Sequence, residues 1–237
     1  MTITLPATPA GKNRSTMTAA VCRMARVAAA VTALAALAAC TGNGTSPARS
    51  GAAAQEAQAT PAQVAGTVHV CSSCHGFDGR SISPTFPRLA GQRAEYIEAQ
   101  LKAFRDHTRA DPHAHTYMWG MAAHLTDPLI KGIAAYYAAQ TPASGTKAGS
   151  PVDIAAGKKI FEDGIPSHDV PACQACHGAH AEGMAAFPRL AGQHRQYLVE
   201  QLQNFASNAR RNEIMHENSK NLTPEEISEV TDFLAAQ

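Results

Sequence analysis

The chain lacks the features that mark several common classes of protein. It has one tryptophan among 237 residues, aromatic residues make up 5% of it, and no segment convincingly alternates apolar and polar residues as a half-buried β-strand does. Its apolar run Val27 to Ala39 is too short to cross a bilayer comfortably. These absences argue against a β-architecture and against a membrane-spanning helix, and they favour an all-α protein.

Acidic residues are missing from the first 39 positions, which is the composition of a signal peptide. The apolar run follows four basic residues and ends in Leu37-Ala38-Ala39-Cys40, which resembles the lipobox of bacterial lipoproteins. We therefore expect residues 1–39 to be removed and Cys40 to be lipidated. The alternatives are an ordinary cleavage site with Cys40 there by accident, or an uncleaved anchor. The early Met17 and Met24 leave the true start open.

Export and a lipid anchor together predict a periplasmic protein tethered to a membrane. Thr41 after the cysteine, where inner-membrane retention uses aspartate, slightly favours the outer membrane. Without residues 1–39 the chain has 16 basic and 19 acidic residues, a net charge of −3. This balance excludes a nucleic-acid-binding protein, because such proteins need an excess of positive charge.

Cysteines are few, and four of the six lie in two copies of one pattern. The segments are Cys71-Ser72-Ser73-Cys74-His75 and Cys173-Gln174-Ala175-Cys176-His177. In C-x-x-C-H two thiols attack the two vinyl groups of one porphyrin edge, and the histidine that follows becomes an axial ligand of the iron. We expect two haem c groups, held by Cys71, Cys74, Cys173 and Cys176, with His75 and His177 on the iron. A zinc site, a redox-active Cys pair and a disulfide are the alternatives.

A second repeat shows that the chain is built twice. The heptapeptide Phe-Pro-Arg-Leu-Ala-Gly-Gln occurs at 86–92 and again at 187–193, offset by 101, while the haem motifs are offset by 102. Such a register indicates duplicated domains. We predict a flexible tether at 40–63, an N-terminal domain at 64–143 and a C-terminal domain at 144–237, with their connection at about 141–151.

Helical periodicity follows each heptapeptide. Ile97, Leu101 and Phe104 repeat at i, i+4, i+7, as do Leu198, Leu202 and Phe205. Thr223 to Glu226 is a capping box that opens a later helix. Ile154 to Phe161 predicts a helix leading into the second haem motif, whereas its counterpart at Gln63 to Val70 is short and weak.

The residue on the sixth position of each iron decides between electron transfer and catalysis. Met118 lies seven residues before Leu125, and Met215 lies seven before Leu222. This equal register favours the two methionines as axial ligands. His113 and His115 are rivals in the first half, and His216 is a rival in the second.

With these motifs the chain resembles the diheme cytochrome c4 family, two class I cytochrome c domains in tandem, over about Val64 to Gln237. The resemblance implies low-spin haems with His/Met ligands and a periplasmic shuttle of single electrons, often towards a haem-copper terminal oxidase. In class I cytochromes a proline carbonyl accepts the N–H of the proximal imidazole, and Pro84 has the matching spacing, with Ala186 at that spacing in the second half. Arg88 and Arg189 are candidates to pair with haem propionates.

Several other residues are expected to have ordinary roles. Trp119, Tyr96 and Tyr197 are interpreted as packing residues, not electron relays. The remaining histidines are interpreted as surface or loop residues: His69, His107, His124, His168, His180 and His194.

The sequence therefore predicts a one-electron carrier with redox-protein partners, namely a haem-copper oxidase, a quinol-oxidising complex or a dehydrogenase, and with no small-molecule substrate. One alternative is the cytochrome subunit of an exported dehydrogenase. Another is a diheme peroxidase or thiosulfate-oxidising enzyme, against which the twin methionines and the lack of a spare cysteine both argue. A haem-based gas sensor ranks last, since no output domain is recognisable.

Overall fold

The computed structural model of the chain describes residues 57–146 and 149–237. The predicted signal peptide, Cys40 and most of the predicted tether lie outside these residues. Across the described ranges the structure is helical and contains no strand, only isolated bridges between Ile165 and Val170 and between Met184 and Phe187. This confirms the all-α prediction. None of the described helices combines the length and the hydropathy needed to cross a membrane.

The first half packs its helices around a core that includes the residues predicted from periodicity. Ile97, Leu101 and Phe104 are all buried, and they meet Ile133 and Tyr137 of a later helix. The elements in chain order are α1 (Pro61–His75), α2 (Ala94–Arg105), a π-helical turn (Ala114–Met118) that continues as α3 (Trp119–Ala122), and α4 (Asp127–Ala138).

Helix α1 corrects two predictions. It is a continuous helix of 15 residues that includes the whole haem motif, not a short and weak one, and it begins at Pro61, inside the segment predicted as a tether to Gln63. The reason is local. Thr60 accepts a hydrogen bond from the Gln63 N–H, the Gln63 side chain accepts one from the Thr60 N–H, and Pro61 sits in the first turn. This capping box starts the helix although its apolar face is narrow.

The second half repeats the plan around Phe161, Leu198 and Phe233. The predicted capping box at Thr223 and Glu226 is present and opens the last helix. The elements are α5 (Pro151–Asp163), a 3₁₀ turn (Pro166–His168), α6 (Gln174–His177), α7 (Arg195–Ala206), α8 (Glu213–Ser219) and α9 (Pro224–Ala235).

Helices α5 and α9 cross with their backbones in contact. A Cβ at Gly157 would overlap the Glu229 carbonyl and would lie 2.9 Å from the Val230 nitrogen. Unlike α1, α5 does not continue into its haem motif, because it ends at Gly164 (φ 71°) and a loop separates it from Cys173. The prediction of a helix at Ile154 to Phe161 is therefore confirmed, but the helix does not lead directly into the second haem motif.

The described part of the connection between the halves is packed against both of them. The Thr146 N–H donates to the Ala235 carbonyl at 2.8 Å, and the Arg80 Nε–H donates to the Thr141 carbonyl at 2.9 Å. Gly91 has φ 66°, and a Cβ on it would strike Pro142. Residues 141–146 are therefore held by hydrogen bonds and close packing against both domains.

Candidate functional site

The first haem motif lies at the C-terminal end of α1. Cys71 and Cys74 are three residues apart on this helix, so both thiols face one side, and His75 follows with its side chain buried. In the second half α6 supplies the same turn for Cys176 and His177, with Cys173 at its N-cap. The two motifs thus present the same arrangement from helices of very different length.

The thiols discriminate between the possible uses of these motifs. Burial raises the pKa of the Cys71 thiol above its usual range and raises the pKa of the Cys173 thiol to about 11. A redox-active Cys pair instead needs a lowered pKa. All four cysteines in the described residues are free, and this part of the chain brings no three His, Cys, Asp or Glu side chains together as a metal site would require. The raised pKa values of Cys71 and Cys173 argue against a redox-active pair and are compatible with covalent attachment to a porphyrin.

Each proximal histidine is oriented by a proline carbonyl. His75 Nδ1 lies 2.9 Å from the Pro87 oxygen, and His177 Nδ1 lies 3.0 Å from the Pro188 oxygen. Because a carbonyl only accepts, this geometry assigns the proton to Nδ1 and leaves Nε2 with its lone pair free for iron. Burial lowers the pKa of both imidazoles, against the opposing effect of these hydrogen bonds, and so favours the neutral form that binds a metal.

The prediction that Pro84 accepts this hydrogen bond is wrong. Gly79, with φ 80°, turns the chain so that its carbonyl accepts from the Leu89 N–H at 2.7 Å, and this places Pro87 beside the imidazole. Ala186 at the equivalent spacing in the second half is displaced in the same way by Pro188. The repeat contained the signal, since Pro87 and Pro188 recur in both heptapeptides whereas Pro84 does not.

The methionines predicted as axial ligands both lie on helical turns and are partly buried. Met118 ends the π-helical turn and packs on the first core, and Met215 lies in the first turn of α8. The histidine rivals have other neighbours. His113 Nδ1 is 3.0 Å from a Glu200 oxygen in the second half, and His216 Nδ1 is 2.9 Å from the Phe205 carbonyl. Because the His216 bond also uses Nδ1, as the bonds of the proximal histidines do, methionine at both sixth positions stays a prediction from register.

The residues present fit a covalently bound haem in each half. Phe86 packs edge-on to the His75 ring with 6.1 Å between the ring centres, and Phe187 packs in the same way against His177 at 6.3 Å. Each imidazole therefore has an aromatic side chain packed against it. Within the residues that the structure describes, Arg189 Nε is buried without a hydrogen-bond partner, so this polar atom remains for a group that the protein itself does not supply. A bound haem supplies exchange of one electron at its iron.

Arg88 and Arg189 are part of the contact between the domains. The Gln193 side chain accepts from the Arg88 N–H at 2.8 Å and donates to the Arg88 carbonyl at 2.9 Å. Gln92 makes the same pair of bonds with Arg189, at 2.7 and 2.9 Å. The Arg88 guanidinium also donates to the Gly192 carbonyl at 2.5 Å. Pairing of either arginine with a propionate stays a prediction.

His194 lies in a loop at the contact between the domains, a contact that the sequence does not reveal. It is buried, not at the surface, and its Nε2 lies 2.9 Å from the Ser81 carbonyl of the first half. The glutamines were also missed, although they close both copies of the heptapeptide. The signal for them was the repetition itself, because an internal two-fold contact needs the same residue twice.

Comparison with known proteins agrees with this geometry. The family model described as cytochrome c matches residues 62–139 and 154–237. Cytochrome c-552 of Acidithiobacillus ferridurans is 40% identical over 70% of this chain and 73% of its own length. The thiosulfate dehydrogenase electron acceptor of Thiomonas intermedia is 33% identical over 70% of this chain and 78% of its own length. The solved structure of Acidithiobacillus ferrooxidans cytochrome c4 has a TM-score of 0.67 at 40% identity and covers 70% of this chain and 98% of that one.

Two matches to one family model, two covalent attachment motifs and two oriented proximal histidines lead to one conclusion. The chain belongs to the cytochrome c family, as an electron-transfer cytochrome of the cytochrome c4 type with two tandem domains and two covalent haem c groups.

Proposed function

We propose that the chain is an exported, membrane-tethered carrier that passes single electrons between respiratory proteins, with both irons closed by a histidine and a methionine. One observation carries this proposal. In each half a buried imidazole is held through Nδ1 by a proline carbonyl, and a partly buried methionine lies on a helical turn, seven residues before a leucine in both halves.

The roles of the protein's own residues follow from this arrangement. Pro87 and Pro188 fix the tautomer and the ring plane of the proximal histidines, which raises the basicity of the ligand nitrogen. The buried apolar residues of each half exclude water, and a methionine ligand raises the reduction potential. A His/Met pair therefore suits a donor to a high-potential oxidase.

The test is the visible and near-infrared spectrum of the purified holoprotein, followed by carbon monoxide added to the reduced form. We expect two haems' worth of the weak near-infrared band that reports sulfur on ferric haem, and no carbon monoxide binding. Half of this band, or one haem that binds carbon monoxide, would contradict the symmetric assignment and point first to Met215.

A dehydrogenase as electron donor is the second candidate for the partner. It is favoured by the likeness to a protein described as a thiosulfate dehydrogenase electron acceptor. A dehydrogenase would reduce this protein and an oxidase would oxidise it, so stopped-flow spectroscopy distinguishes the two partners. A thiosulfate dehydrogenase with thiosulfate should reduce the oxidised protein within its own turnover time, whereas a haem-copper oxidase should oxidise the reduced protein.

The membrane tether is proposed from Cys40 and its preceding residues. Cys40→Ser should move the full-length, haem-loaded protein from the membrane fraction to the periplasmic fraction of a bacterial host and abolish incorporation of labelled fatty acid. Ser46→Ala, a change in the same segment, is the matched control and should leave both unchanged. Membrane association that survives Cys40→Ser would favour an uncleaved anchor.

A further inference from the structure

A buried polar cluster joins the two domains, and it contains two arginines. Its members come from α2, α7 and the segments that follow them, and all of them lie at or near the contact between the halves. We call them the interdomain arginine cluster: Tyr96, Gln100, Arg109, Asp111, Gln201 and Arg210.

Each glutamine of the cluster accepts hydrogen bonds from both arginines. Gln100 Oε1 is 2.8 Å from Arg109 Nη1 and 2.8 Å from Arg210 Nη2. Gln201 Oε1 is 3.0 Å from Arg109 Nη2 and 2.6 Å from Arg210 Nη1. Since Arg210 and Gln201 lie 101 residues after Arg109 and Gln100, the cluster has an internal two-fold arrangement.

The cluster contains two buried positive charges. Arg109 and Arg210 are 8% and 5% exposed, and each guanidinium lies over a phenylalanine of its own half, at 4.7 Å from the Phe104 ring centre and 4.5 Å from that of Phe205. Asp111 is fully buried and accepts from Arg109 Nε at 2.8 Å. The second half has Asn212 where the first has Asp111. Buried charges are costly to desolvate, and the one carboxylate of the cluster, Asp111, offsets only one of the two.

Both arginines stand just before the segments that hold the methionines. In the first half the Arg109 carbonyl accepts from Trp119 Nε1 at 2.8 Å, and the Asp111 carbonyl accepts from the His115 N–H at 3.0 Å. These two bonds lie on either side of Met118. In the second half Asn212 Oδ1 accepts directly from the Met215 N–H at 2.9 Å.

We propose that the interdomain arginine cluster positions both methionine segments, so that docking of the two domains and closure of the two sixth ligand positions form one linked equilibrium. The inference rests on the proposed ligation by Met118 and Met215. Arg109 and Arg210 are positioning residues, since each acts on a methionine through the backbone that follows it. Loosening the cluster should let each methionine leave its iron more often without unfolding the domain.

The experiment titrates imidazole into the oxidised holoprotein and follows the near-infrared sulfur band. Arg109→Lys and Arg210→Lys keep the charge but lose the planar fork that reaches both glutamines. We expect each variant to raise the apparent affinity for imidazole at both haems by about tenfold, equivalent to ~1.4 kcal/mol. Arg105→Lys is the control, because Arg105 lies on α2 and, among the described residues, bonds only within its own half, to Asp106, Asp127 and the Leu125 carbonyl.

A second variant keeps the test sharp if a lysine variant fails to fold. Asp111→Asn copies the second half's own residue into the first half and removes the charge that pairs with Arg109, so it should raise imidazole affinity at both haems. Imidazole affinities within about twofold of the unchanged protein, in variants with unchanged circular dichroism, would overturn the inference. Absence of the sulfur band from the unchanged protein would instead overturn the proposed methionine ligation, so the two failures are distinguishable.

Discussion

The contact between the domains can be tested through its two glutamines. Gln92 and Gln193 are each 6% exposed, and each makes two hydrogen bonds to an arginine backbone in the other half. A hydrogen bond is worth about 1 kcal/mol net, and a buried backbone group left without a partner costs more. Gln92→Ala or Gln193→Ala should therefore each weaken docking by about 2 kcal/mol.

The single tryptophan makes this effect measurable across the contact. Trp119 lies in the first half, so its fluorescence reports unfolding of that half when haem quenching is lost. For a slope of about 3 kcal/mol per molar guanidinium chloride, a loss of about 2 kcal/mol lowers the midpoint by about 0.7 M. Gln193→Ala changes the second half, yet it should lower the midpoint seen by Trp119 as much as Gln92→Ala does.

A matched control and a double variant complete the design. Gln140→Ala removes one hydrogen bond inside the first half, to the Tyr136 carbonyl at 2.9 Å, and leaves both docking glutamines in place, so it should lower the Trp119 midpoint by about half as much or less. The double variant Gln92→Ala, Gln193→Ala should cost less than the sum of the single changes, because undocking after the first leaves less to lose. If Gln193→Ala left the Trp119 midpoint within about 0.1 M, the reasoning on docking would be refuted.

Two further predictions concern protonation and packing. Burial, and then the nearby Arg88, lower the pKa of His194 below its ordinary 6.5, with the bond to the Ser81 carbonyl opposing them. Below pH 6.5 the unfolded state then binds more protons than the folded state. The contribution of His194 to the free energy of unfolding is therefore fully present above pH 6.5 and falls as the pH is lowered through the folded pKa. His194→Gln should flatten that part of a stability profile measured between about pH 5 and 8. Gly157→Ala should destabilise the second half by about 3 kcal/mol or more in denaturant unfolding, because its Cβ overlaps α9. Gly66→Ala, on the open face of α1, should stabilise by about 0.5–1 kcal/mol, and a loss there as large as at Gly157 would contradict the packing argument.

Local signals were sufficient for much of the fold. The capping box at Thr223 and the periodic residues of α2 and α7 predicted helices that the structure contains, since these signals act within one or two turns. Periodicity predicts helix α1 poorly, because its apolar face is narrow and Val68 is the one apolar side chain on it that is buried. There the cap at Thr60 was the better guide.

Site residues that occur in both copies of the repeat could be predicted from the sequence. The prediction that rested on one half alone was wrong. The cysteines and proximal histidines follow from motifs that bind a ligand as a unit. Spacing in one half predicts Pro84, whereas the recurring Pro87 and Pro188 make the bond. Contacts such as that of His194 with Ser81 join positions 113 residues apart, and no local pattern reports them.

The reciprocal bonds of Gln92 and Gln193 have the form of a homodimer interface folded into one chain. A covalent connection of this length holds the halves at an effective concentration of the order of millimolar. At this effective concentration, a free energy of association of only about 4 kcal/mol, equivalent to a Kd of about 1 mM, keeps the two halves docked half of the time. The two halves could therefore diverge at their shared surface, as Arg93 and His194 or Asp111 and Asn212 have done, and still remain together. Each such difference gives the two haem sites unequal surroundings, so duplication within one chain lets two initially equal electron sites become unequal.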